Sequence, residues 1–146
     1  MRYLFNWYGE TRVVPDGERW LVEHKPYRDV PSWYPATSYD SQHMADVFSQ
    51  WNNGEREIDD ALYLDMELAT HETDPSRKLS RGTFNIIMRW DLCDPDVLRV
   101  FNIYMLMDIR GIGITKATQL IRWLSARGIE LQPSDYQNEL REKGLL

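Results

Sequence analysis

The chain has 146 residues, enough for one domain or for one domain with a small appendage. Its 17 basic against 23 acidic residues leave a formal charge of −6, which excludes a protein that coats DNA or a membrane with its whole surface. A hydrophobic fraction of 42%, with 6 Trp, 8 Tyr and 4 Phe, excludes a disordered chain.

Residues 2–25 read as a β-hairpin. Alternation runs through Tyr3, Phe5, Trp7, Thr11 and Val13, breaks at Pro15-Asp16-Gly17, and resumes at Trp20 and Val22. A turn centred between Asp16 and Gly17 sets Val13 opposite Trp20 and Glu10 opposite Glu23, with Lys25 on the same face as the glutamates. A two-stranded hairpin is not stable alone, so its apolar face is expected to pack on helices. Residues 26–40 carry Pro26, Pro31 and Pro35 among Tyr27, Trp33, Tyr34 and Tyr39; proline at this density forbids helix and predicts an extended path over the surface.

Asp40 or Ser41 caps a predicted helix whose apolar face is Met44, Val47, Phe48 and Trp51 and which stops at Asn52-Asn53-Gly54. A second helix is expected over about residues 57–70, a basic loop with Arg77, Lys78 and Arg81 over 71–82, and over 83–92 a short helix, with a strand at Phe84-Asn85-Ile86-Ile87-Met88 as the alternative. Asp94-Pro95 reads as an N-cap with a first-position proline, and Val97, Leu98, Phe101, Tyr104 and Met105 follow at helical spacing. A helix over about 115–126, closed by Gly128, and a last helix from Ser134-Asp135 to Gly144 complete the chain. These elements predict a mainly α-helical α+β single domain over 1–146. Its hairpin and proline loop fill 1–40 and its helical part 41–146, with the best seam near residue 40.

The stretch Ile109-Arg110-Gly111-Ile112-Gly113, followed by Ala117 and Leu120-Ile121, resembles the helix-hairpin-helix motif of DNA-binding and DNA-repair proteins. The resemblance covers residues 96–127, with Arg110 where that family often has proline. Its physical sense is direct. Two glycines one residue apart let the backbone turn tightly and approach a partner closely. The helix that starts within two residues offers unpaired N–H groups and a positive dipole end to a phosphate. Ile112 is expected to plug the hairpin into the core, and Ala117 to sit where the helices cross. Between Val97 and Gly128 stand Arg99, Arg110, Lys116, Arg122 and Arg127 against Asp108 alone, a net of +4 that leaves −10 for the rest.

Candidates for catalysis are fewer. Asp135 lies 24 residues beyond Gly111, at the spacing where glycosylases of the resembled family carry an aspartate. Lys116 falls one residue after the place of that family's nucleophilic lysine, which is Thr115 here. Glu23-His24-Lys25, with Glu10 opposite, resembles half of a metal-dependent nuclease strand; the plain alternative is a solvated charged face. Asp65, at about 340° on a wheel started at Ile58, falls between Leu68 and Ala69 and calls for a partner such as an arginine of the 77–81 loop. His24, His43 and His71 share no ligand spacing, and Cys93 has no base near it in sequence, so neither metal nor cofactor is expected. No apolar run approaches the ~18 residues that span a bilayer. That, with a single cysteine, suggests a cytoplasmic protein.

The leading expectation is a DNA-binding protein without sequence specificity. It would contact phosphates through Arg110, Gly111, Ile112, Gly113, Thr115, Lys116 and Arg122, with Arg99 and Arg127 at the periphery. The alternatives are an acidic interaction or inhibitor protein that docks a partner on residues 55–74, where eight acids face one base, and a DNA-modifying or repair enzyme built on the carboxylates above.

Overall fold

A computed structural model describes residues 9–26, 29 and 31–146. The expected strand residues Tyr3, Phe5 and Trp7 and the loop residue Tyr27 lie outside them. The protein is α+β, with a three-stranded antiparallel sheet and seven helices among the described residues. It divides into two compact units, Met1–Glu57 and Ile58–Leu146, so the seam falls well after the one suggested near residue 40.

In the first unit β1 (Glu10–Asp16) and β2 (Arg19–Lys25) form the expected hairpin, with a different register. Gly17, at φ +62°, opens a two-residue turn with Glu18. Hairpin turns of this length need a positive φ at their first central position, which glycine supplies without strain. The turn therefore centres between Gly17 and Glu18. Val13 faces Val22, Pro15 faces Trp20, and Glu10 faces Lys25 rather than Glu23. Because the shift moves pairing by two residues, alternation survives, and Thr11 and Val22 still share the buried side.

The proline loop does more than run extended. Tyr34–Tyr39 pairs with β2 as β3, an edge strand that tolerates Pro35 because its outer side needs no donor. Helix α1 (Gln42–Asn52), capped by Ser41, covers the sheet and buries Val47, Phe48 and Trp51 beside Val22 and Tyr39. The join is made by Asn53. Its side chain accepts from the Thr11 amide (2.9 Å) and donates to the Thr11 carbonyl (2.8 Å), the pair of bonds a neighbouring strand would make.

The second unit holds α2 (Tyr63–Thr70), α3 (Arg81–Arg89), α4 (Pro95–Arg99), α5 (Ile103–Asp108), α6 (Ile114–Ser125) and α7 (Asp135–Glu142). Helix α2 starts six residues later than expected, because 57–62 is drawn onto the α4 cap. The buried Asp94 carboxylate accepts from the amides of Asp59, Asp96 and Val97, and the Leu62 amide donates to the Cys93 carbonyl. The expected helix from Asp94 breaks after Arg99 into α4 and α5. Buried Val100 and Phe101 fill the break, Asn102 caps α5 through the Met105 amide, and Gln132 bonds to the carbonyls of Arg99 and Phe101. These bonds offset the lost helical ones. Helices α6 and α7 run as expected, closed by Gly128 (φ +75°) and Gly144 (φ +74°).

Candidate nucleic-acid interface

Between α5 and α6 the chain makes one tight turn. The Ile112 amide bonds to the Ile109 carbonyl at 2.9 Å, and Gly111 sits at φ +94°, a conformation that side chains resist. Ile109 and Ile112 are buried on one side of the turn, and Ala117 is fully buried one turn into α6. Arg110, Gly111, Gly113 and Thr115 face outward. Ile109, Ile112 and Ala117 thus lie in the core, while the glycines, Arg110, Thr115 and also Ile114 stand at the surface.

Helix α6 begins at Gly113 with no side-chain cap. By contrast α1, α3, α4, α5 and α7 are capped by Ser41, Ser80, Asp94, Asn102 and Ser134. The first-turn amides of α6 therefore point at open surface, where the dipole of a 12-residue helix favours an anion. Nothing lies within 4 Å of the place a Gly113 Cβ would occupy, so the surface is open at the start of α6.

The basic side chains of the segment divide by their partners. Arg99 is paired with Asp96 at 3.2 Å. Arg127 is 3.8 Å from Asp65, with its guanidinium 3.7 Å above the Trp123 ring. Arg122 donates to the Leu145 carbonyl. Arg110 and Lys116 have no acidic partner among the described residues, and both stand at the turn and the first turn of α6. Asp108, the one acid of the segment, has its carboxyl pushed above the ordinary range by desolvation.

Helix α3 is a neighbour the sequence reading did not assign to this site. Lys116 Nζ lies 3.4 Å from where a Gly82 Cβ would stand, and a Gly111 Cβ would come within 2.9 Å of Ile86 Cδ1. Gly82 and Ile86, four residues apart, thus present one stripe of α3 to the hairpin. The available signal was charge: residues 75–90 contain Arg77, Lys78, Arg81 and Arg89 and no acid.

The catalytic candidates are not brought together. Glu23 pairs with Arg12 at 3.0 Å, Lys25 lies 5.8 Å from the Trp33 ring, and Glu10 is exposed. The two carboxylates expected to face each other across the hairpin are therefore not opposed. Asp135 is exposed at the first position of α7, where Ser134 makes the cap. Asp65 is corrected on two counts. It is exposed, and its partner is Arg127 rather than an arginine of the 77–81 loop. Asp65 does fall between Leu68 and Ala69 on the helix, but Leu68 is not part of the buried stripe: Met66 and Ala69 point inward, while Leu64 and Leu68 are about two-thirds exposed. Trp33 lies under the Arg12 guanidinium at 4.3 Å, and Tyr34 is half exposed. No group of three His, Cys, Asp or Glu residues able to hold a metal occurs among the described residues, and none of their helices is long and apolar enough to cross a membrane.

Comparison with protein-family models, with curated proteins and with solved structures finds no match to this chain.

Proposed function

We propose that the protein binds DNA through the phosphate backbone, using the α5–α6 turn as a helix-hairpin-helix. The observation that carries this reading is the uncapped N-terminus of α6, reached past two exposed glycines and flanked by Arg110 and Lys116, both without acidic partners among the described residues. A phosphate oxygen would take the amides of Gly113, Ile114 and Thr115, with the Thr115 hydroxyl and the Lys116 ammonium alongside. Amides carry no base information, so binding is indifferent to sequence. Arg122 is a peripheral contact once it leaves the Leu145 carbonyl. Arg99 and Arg127 contribute little, because their charges are already partnered.

Titrating labelled duplexes of two unrelated sequences, at salt from about 50 to 300 mM, tests the reading. Both duplexes should bind alike, and affinity should fall by at least about tenfold across that range. Lys116→Glu should weaken binding to both. Equal affinity at the two salt limits overturns the proposal.

A second reading rests on α2. Leu64 and Leu68 are exposed beside Asp65 and Glu67, an apolar pair within an acidic surface that would suit a basic protein partner. Loss of function on changing Glu67, with Lys116→Glu harmless, would favour this reading over DNA binding.

A further inference from the structure

We infer that the exposed flank of α3 is a second row of phosphate contacts beside the hairpin, with Arg81 and Arg89 as its cations. This rests on the DNA-binding reading above and extends it to an element outside the helix-hairpin-helix. The Gly82 and Ile86 contacts fix the orientation of α3. Lys116 Nζ reaches the Gly82 end of the stripe, and Gly111 lies against Ile86 in its middle. At ~100° per residue, Arg89 falls within about 20° of Gly82, so it continues the same stripe past Gly111. Asn85 and Arg81 stand beside that stripe, and all three of these polar side chains are exposed. On the other side of the helix, Thr83, Phe84 and Ile87 are buried, which holds the stripe in place.

Neither Arg81 nor Arg89 has an acidic partner among the described residues; Arg81 rests 5.5 Å from the Phe84 ring. From Gly82 to Arg89 the helix rises about 10 Å. Laid parallel to the duplex axis, where one strand presents a charge every ~3.4 Å of rise, that length matches about three phosphates.

The test is the slope of log affinity against log salt for a labelled duplex. Arg81→Gln and Arg89→Gln should each lower the slope by about 0.9 and weaken binding about five- to tenfold near 0.1 M salt. Arg99→Gln, which removes a cation already paired with Asp96, should leave the slope unchanged. Asn85→Lys should raise the slope and tighten binding, a gain that misfolding cannot produce, whereas Asn138→Lys on α7 should not. If Arg81→Gln and Arg89→Gln keep the parent slope while Lys116→Gln lowers it, the α3 row is wrong and the hairpin reading stands. If Asn138→Lys matches Asn85→Lys, the effect belongs to net charge and the α3 row is again wrong. No salt dependence in the unaltered protein overturns both.

Discussion

An alanine at position 111 meets two obstacles. The backbone there sits at φ +94°, and the new Cβ would press on Ile86 Cδ1 at 2.9 Å. The methyl can swing aside, so the strained backbone is the larger cost, and Gly111→Ala should destabilise the second unit by about 1–3 kcal/mol. At Gly113 the conformation is extended (φ −91°, ψ −170°) and the surroundings are open. Gly113→Ala should keep stability within about 1 kcal/mol, because a small loss at the cap is offset by a stiffer unfolded chain. It should nevertheless weaken DNA binding, since its Cβ stands where a phosphate would approach. Urea unfolding and DNA titration on both variants separate the two roles. A Gly113→Ala protein with unaltered affinity would show that close backbone approach is not needed.

Cys93 offers a pH test at the same scale. Its thiol is 1% exposed, with Met88 Sδ at 3.4 Å, and burial, followed by the charges of Asp60 and Asp91, pushes its pKa from 9.0 up to about 11. The fold prefers the neutral thiol, so this contribution is complete below about pH 9 and declines as pH rises through about 11. The loss should approach about 2–3 kcal/mol at the alkaline end. Unfolding in urea at pH 8 and near pH 11 should show a steeper alkaline loss for the parent than for Cys93→Ala. Parallel losses in the two proteins would remove the effect.

At the scale of elements, what the sequence made legible was what local chemistry determines. Ser41, Asp94 and Ser134 cap helices through their own side chains, and Gly128 and Gly144 close α6 and α7 with positive φ. Such signals act within a few residues and need no partner. Three features were decided by distant contacts. Tyr34–Tyr39 becomes a strand because the edge of β2 is available, which no periodicity in a proline-rich stretch announces. The helix from Pro95 breaks at Val100–Asn102 because Gln132, about thirty residues away, takes the freed carbonyls. The start of α2 yields to the Asp94 cap. The hairpin register was a local matter decided the other way, since Gly17 supplies its positive φ at the first turn position. The site followed the same division. The exposed face of the α5–α6 turn could be read from two glycines and a small alanine. The place of α3 beside it could not, because one methyl and one ammonium group make the contact across long sequence separations.

At the scale of the whole molecule, the charge of −6 is an uneven sum. The acid-free stretch 75–90 carries +4 and the segment 97–128 another +4, leaving −14 for the other residues. On the proposed reading, these two segments of the second unit attract an anionic polymer and the acidic residues repel it. The acids of 55–74 would then act on DNA only through their field, as a repulsion screened within about 8 Å at physiological salt. This can be separated from direct contact. Glu67→Lys changes the local charge by two without touching the hairpin, so it should tighten DNA binding several-fold at about 50 mM salt. Near 300 mM the gain should vanish, because screening removes a long-range term but not a lost contact. If Glu67→Lys instead weakens binding at both salts, the acidic surface takes part in the complex. The division of labour between two basic segments and a repelling remainder would then be wrong.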